Sequence, residues 1–280
     1  MKKVVFFALS LLGSPALATQ FGDSLGIRCP VLFDGRVPKS MTPPDFDKNS
    51  SIFDHQFVHG QNQTWAEIIK FTGVPESLFD IPKNAKPVEV TISNQSIFLP
   101  GGDPPMPQFG FRRSELIPAT NNGTDITVQG TTLSIGHSTS EITFLTGKPF
   151  NQSFDPTVHD PKTLRLAGRQ SNSPETTFFQ TPFDFDIWHN FAVTLGWTTN
   201  KLTVYYSKGF APLKRVAGPT FNDNSGGGQF HAGVFKLPTG PLGIDVNHQG
   251  FQEAPIDEGL IFGGIFIEDS SKGCVTTFPA

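Results

Sequence analysis

Charge, cysteine and long apolar runs are all scarce in this chain, and each scarcity excludes something. Charged residues are 16 % of 280, with a formal net charge of −4. No basic stripe marks a nucleic-acid surface, and no acidic block marks a solvated regulatory tail. After the N-terminus no apolar stretch approaches the roughly 20 residues of a membrane-spanning helix. No sequence period of about 33 or 40 residues recurs, which argues against a solenoid or a propeller. The only cysteines are Cys29 and Cys274, too few to staple an additional small binding module. No His/Asp/Glu spacing suits a metal, and Ser225-Gly226-Gly227-Gly228 lacks the Lys-Ser/Thr ending of a phosphate loop. The expectation is a protein without metal or cofactor, acting as a monomer, with no nucleic-acid or membrane partner.

What is abundant is punctuation, with 28 glycines and 24 prolines, as suits many short strands joined by turns. The start of the chain reads as a secretion signal. Lys2 and Lys3 form its positive end, Val4 to Leu12 its short apolar run, and Ala16-Leu17-Ala18 a small-x-small cleavage site. Cleavage is expected after Ala18, leaving residues 19–280 as one secreted, extracellular domain. In an oxidising compartment Cys29 and Cys274 are expected to pair, stapling the two mature ends together. Asn49, Asn62, Asn94, Asn122 and Asn151 each open an Asn-x-Ser/Thr sequon, which predicts exposed positions available for glycosylation.

The body reads as strands. Val88 to Ile92 alternates apolar and polar residues, and Ile126 to Ile135 is rich in Thr, Val and Ile. Further candidates are Glu141 to Leu145, Trp188 to Leu195, Leu202 to Tyr206, Gln229 to Phe235 and Leu260 to Ile267. One short helix is expected over Trp65 to Lys70, with Thr64 and Glu67 spaced as a capping box. Trp188 and Trp197 suit the core. Many strands and one short helix point to an all-β fold, a β-jelly-roll sandwich of two antiparallel sheets, one of which lines a concave groove.

Two strands carry unusual polar residues. In Phe109 to Leu116 the alternation puts Arg113 and Glu115 on one face. There the arginine could orient the carboxylate, tune its pKa, or grip a polar ligand; the plain alternative is an ion pair on an outer strand. In Gln229 to Lys236, Gln229, His231, Gly233 and Phe235 share one face. A glycine beside His231 would leave room for a ligand to come close.

Gly110-Phe111-Arg112-Arg113-Ser114-Glu115-Leu116-Ile117-Pro118 resembles the signature strand of fungal glycoside hydrolase family 131, secreted β-glucanases with a jelly-roll fold. Matching segments run in order along the mature chain: Leu32 to Arg36, Phe57 to Trp65, Thr181 to Leu195, Gln229 to Gly233, and Glu258 to Phe266. The resemblance implies hydrolysis of β-1,3-, β-1,6- and β-1,4-linked glucans, polymeric or oligomeric, without a cofactor. Such chemistry uses two carboxyl groups, one protonated and one ionised. Glu115 matches the family's glutamate. The family's second segment, a Ser-His-Glu triplet, is replaced here by Ser153-Phe154-Asp155, so three readings stand open. Asp155 supplies the second carboxylate, another group such as Glu141 does, or activity has been lost. His231 is assigned to hydrogen bonding of substrate or of the catalytic acid. Arg113, His137, Gln229 and Trp65 are assigned to substrate binding, Trp65 by stacking on a sugar ring; His59 and Gln61 lie in a loop that could rim the groove.

Two other classes compete. Jelly-roll polysaccharide lyases acting on uronate polymers resemble the same two strands, but commonly place a catalytic tyrosine where this chain has Phe235. Its two tyrosines, Tyr205 and Tyr206, lie elsewhere. A non-catalytic glucan-binding protein with a degenerate site is the third possibility, because of the altered segment around Asp155.

Overall fold

The computed structural model describes residues 2–3, 5–11, 29–119, 126–128, 131–133, 142–147, 160–169, 176–224, 230–238, 243–245 and 247–279. Its largest sheet has six strands, in the order Lys214–Phe221, Lys201–Lys208, His189–Gly196, Val5–Leu11, Phe266–Glu268 and Val31–Asp34. Shorter ladders form the opposing layer. Asp257–Phe262 pairs with Val88–Ser93, Ala232–Lys236 with Arg112–Leu116, and Thr163–Ala167 lies between Thr143–Leu145 and Thr177–Pro182.

The two layers enclose one main core. Phe191, Val193, Leu195, Leu202 and Val204 enter it from the six-stranded sheet; Val88, Val90, Leu116, Leu164, Leu166 and Ala232 enter it from the other layer. Their spacing of two along each strand is what a sheet with one buried face requires. The far face of the six-stranded sheet is covered too. Ala192 and Trp188 pack there against Leu78, Phe79 and Leu213, and the Trp188 indole N–H donates to the Pro75 carbonyl at 3.2 Å.

Several expected elements form with altered limits. The helix is a single turn, Trp65–Ile68, and Ile69–Lys70 turns into a strand. The Glu67 carboxylate accepts from the Thr64 N–H at 2.7 Å, as the capping box predicts, while Asp47 accepts from the N–H groups of Trp65 and Ala66. The residues from Ile126 make two short antiparallel strands, Ile126–Val128 and Thr131–Leu133, rather than one. The expected strand Leu260 to Ile267 is broken into two. Gly264 has φ +65°, its N–H donates to Asp80 at 2.8 Å, and a Cβ on Gly263 would collide with the Asp80 carboxylate. Burial pushes the Asp80 carboxyl up, opposed by hydrogen bonds from Ser77 and Gly264.

Thr177–Pro182 and Lys214–Phe221 were not anticipated. Both contain proline and both are edge strands, where a missing N–H breaks no ladder. Among the described residues from 29 onward every ladder is antiparallel, as expected. Val5–Leu11 lies parallel to both His189–Gly196 and Phe266–Glu268.

Cys29 and Cys274 form a disulfide with Cα atoms 5.6 Å apart, across 245 residues of sequence. Closing so long a loop restricts the unfolded chain most, by about 5.5 kcal/mol on the chain-entropy account. Replacing Cys274 by Ser, or reducing the bond, is expected to lower the unfolding free energy by an amount of this order in a urea titration.

Candidate active site

The Arg112–Leu116 and Ala232–Lys236 strands set the site. In their antiparallel register Glu115 faces Gly233 and Arg113 faces Phe235. Leu116 and Ala232 point into the core, so alternation sends Arg113, Glu115, Gly233 and Phe235 to the opposite face. Both backbone groups of Glu115 are used on its other side: its N–H donates to Val58 O at 2.9 Å and its carbonyl accepts from Val58 N at 3.2 Å. The Glu115/Gly233 pair is therefore the closer, non-hydrogen-bonded kind, with Cα atoms about 4.5 Å apart. A Cβ on Gly233 would collide with the Ser114 carbonyl and the Glu115 Cα. The space that the sequence suggested for a ligand is taken by the neighbouring strand.

The side chains converge on one oxygen. Arg113 donates to Glu115 Oε2 through Nε at 3.1 Å and also through Nη2. His231 Nδ1 lies 3.0 Å from the same Oε2. Side-chain exposures are 11 % for Glu115, 17 % for Arg113 and 26 % for His231, so this is not an ion pair on the outer surface. Burial by itself raises the Glu115 pKa, but the His231 hydrogen bond and the Arg113 charge outweigh it and bring it down to about 2. Glu115 is thus ionised across ordinary pH. An ionised carboxylate only accepts, so His231 Nδ1 carries the proton in this contact. Among the described residues Oε1 has no hydrogen-bond partner.

Adjacent arginines have separate tasks. Arg112, on the alternate face, donates to the carbonyls of Asn94 (3.0 Å), Phe111 (2.7 Å) and Phe109 (3.1 Å), fastening loops at the end of the ladder. Sequence reasoning missed Phe98. Its loop reaches the site because the Arg113 N–H donates to Ser96 O at 2.9 Å, and its ring lies under the Arg113 guanidinium at 5.0 Å. No spacing along the chain connects residue 98 with the Arg-Ser-Glu strand, so only a weak signal existed, an aromatic in a proline-flanked loop.

Trp65 is a correction. It is 0 % exposed and part of the main core, because the capped helical turn directs it inward; it offers no face to a sugar. His59 packs edge-on against it at 5.2 Å, with Nδ1 2.9 Å from Gly60 O. Asp155, Glu141, His137 and Gln229 lie outside the described residues, as do Asn122 and Asn151; Asn49, Asn62 and Asn94 are exposed. Tyr206 hydrogen-bonds His189 Nδ1 at 2.8 Å and packs on Phe191, on the six-stranded sheet rather than beside Glu115.

Comparison with known proteins bears on the fold and the family. No curated protein matches the chain. A crystal structure of a GH131 β-glucanase catalytic domain from Podospora anserina superimposes with a TM-score of 0.59 at 20 % identity, covering 89 % of this chain and 98 % of that one. The catalytic domain of a glycoside hydrolase family 131 protein from Coprinopsis cinerea gives 0.54 at 19 %, covering 90 % and 98 %. These likenesses establish the jelly-roll-like sandwich. The family described as "Glycoside hydrolase 131 catalytic N-terminal domain" matches residues 31–141 and 133–273, nearly all of the chain after its first thirty residues, and the chain therefore belongs to glycoside hydrolase family 131.

Proposed function

We propose that this protein is a secreted β-glucanase that hydrolyses β-1,3-, β-1,6- and β-1,4-linked glucans, with Glu115 as the ionised member of its carboxyl pair. The observation that carries this is the convergence of Arg113 and His231 on one oxygen of Glu115. A carboxyl held at a pKa of about 2 has no proton to give to a leaving group at working pH. Its role is that of the charged partner, opposing positive charge at the anomeric carbon or receiving the proton of the attacking water. The proton for the leaving oxygen must come from a second group, and Asp155 is our assignment, in the position of the family's glutamate. His231 orients Glu115 through Nδ1 and turns its other nitrogen to the substrate. Arg113 and Gln229 bind sugar hydroxyls, and His137 assists. Residues 1–18, which include the Val5–Leu11 strand, are a leader removed on secretion, so the working enzyme is 19–280, a monomer whose large sheet lacks that strand. Among the described residues no helix is long and apolar enough to cross a membrane.

The purified mature protein is expected to release reducing sugar from β-glucans, and N-terminal sequencing to begin at Thr19. Glu115→Gln should lower kcat by about 10³-fold or more, and Asp155→Asn by at least about 10²-fold. Retention on insoluble glucan with no release from any of the three linkages would instead identify a binding protein. Unsaturated, ultraviolet-absorbing products from a uronate polymer would identify a lyase.

The charge state has its own test. The folded pKa of Glu115 lies below its ordinary 4.5, so the unfolded state takes up the proton first. The stabilisation is complete above about pH 4.5 and is lost as pH falls toward 2. Between these limits the unfolding free energy of the wild type should climb by up to about 3 kcal/mol more than that of Glu115→Gln. Equal slopes in acid urea titrations would show that Glu115 titrates normally.

A further inference from the structure

Arg113 sits over two aromatic rings. Its Cζ is 5.0 Å from the centroid of Phe98 and 4.9 Å from that of Phe235. Both rings are fixed from elsewhere. Phe98 bridges to Gly60, and its carbonyl accepts from Gln108 N at 2.9 Å. Phe235 is held opposite Arg113 by strand register and meets Phe111 edge-on at 4.6 Å. Among the described residues the guanidinium has one hydrogen-bond partner, Glu115. A long side chain held by one partner keeps much rotamer freedom. Two ring faces attract a cation without taking any of its N–H donors, so they confine the guanidinium and leave its donors for the carboxylate. Phe235 is also 43 % exposed, so it can be replaced without emptying the core.

We propose that Phe98 and Phe235 are positioning residues that act through Arg113, clamping its guanidinium so that it delivers both bonds to Glu115. Only the kinetic arm of the test rests on the hydrolase reading.

Arginine side-chain ¹H–¹⁵N spectra read the clamp directly, with Arg113→Lys identifying the signal. In the wild type the Arg113 Nε–H, donated to the Glu115 carboxylate, should lie downfield of free arginine and exchange slowly with water. Phe235→Leu, at a half-exposed position, and Phe98→Leu should each move it back toward free arginine, and Phe235→Tyr should keep it. In ¹³C carboxyl titrations Glu115, identified by Glu115→Gln, should titrate about half to one pH unit higher in the Leu variants. On glucan, kcat should fall about 3–10-fold with KM less affected, and Phe235→Tyr should restore it. An Arg113 signal at the free-arginine position in the wild type would overturn the proposal, and so would a folded Leu variant with an unmoved Glu115 titration. If no glucan is cleaved, the two spectroscopic readouts still decide the clamp, and only the hydrolase reading fails.

Discussion

A carboxylate taken out of water is costly unless its charge is answered in place, and the site is arranged around that demand at Glu115. Arg113 and His231 meet at one of its oxygens. His231, just before the Ala232–Lys236 strand, is 116 positions from Glu115 in sequence, so the contact exists only while the ladder keeps its register. A slip of one residue would turn Glu115 toward the core. Gly233 enforces that register, because the backbones there leave no room for a Cβ. The Val58 pair on the other side of Glu115 completes the restraint.

The rest of the scaffold holds this ladder in place. Leu116 and Ala232, on the reverse of the strands that carry Glu115 and Gly233, are anchored in the main core. Charge placement and hydrophobic burial are thus coupled along the same few residues. The Cys29–Cys274 bond ties the chain beside the Val31–Asp34 strand to the segment after Phe266–Glu268. Asp80 gathers the Gly263-Gly264 break that lets one run of chain supply strands to both layers. Exposed aromatic surface follows a related logic. Phenylalanine is by far the commonest aromatic, 28 against 3 Trp and 2 Tyr, and at Phe98 and Phe235 it is used for its ring face rather than for burial.

Much of the site was legible because strands have a fixed side-chain period. Alternation alone put Arg113 with Glu115 and His231 with Gly233 on common faces, and the structure joins the two sets. It also identified strands over Val88 to Ile92, Trp188 to Leu195 and Leu202 to Tyr206, where apolar residues recur at every second position along one face. The same reasoning failed at proline-bearing edge strands, whose composition resembles a loop, and at the double glycine that divides Asp257–Phe262 from Phe266–Glu268. It misassigned Trp65, since exposure of a ring depends on which way a capped turn faces and not on ring chemistry.

By itself the sequence determined the strand-rich class, the pairing of its two cysteines, and which residues carry charge on otherwise apolar strands, because these follow from composition and local periodicity. Only the tertiary structure decided that Glu115 is held ionised, that Gly233 serves strand contact rather than a ligand, and that Phe98 belongs beside Arg113. Each of these depends on distances between segments remote in sequence. Electrostatics and steric exclusion act through space, and no local pattern encodes them.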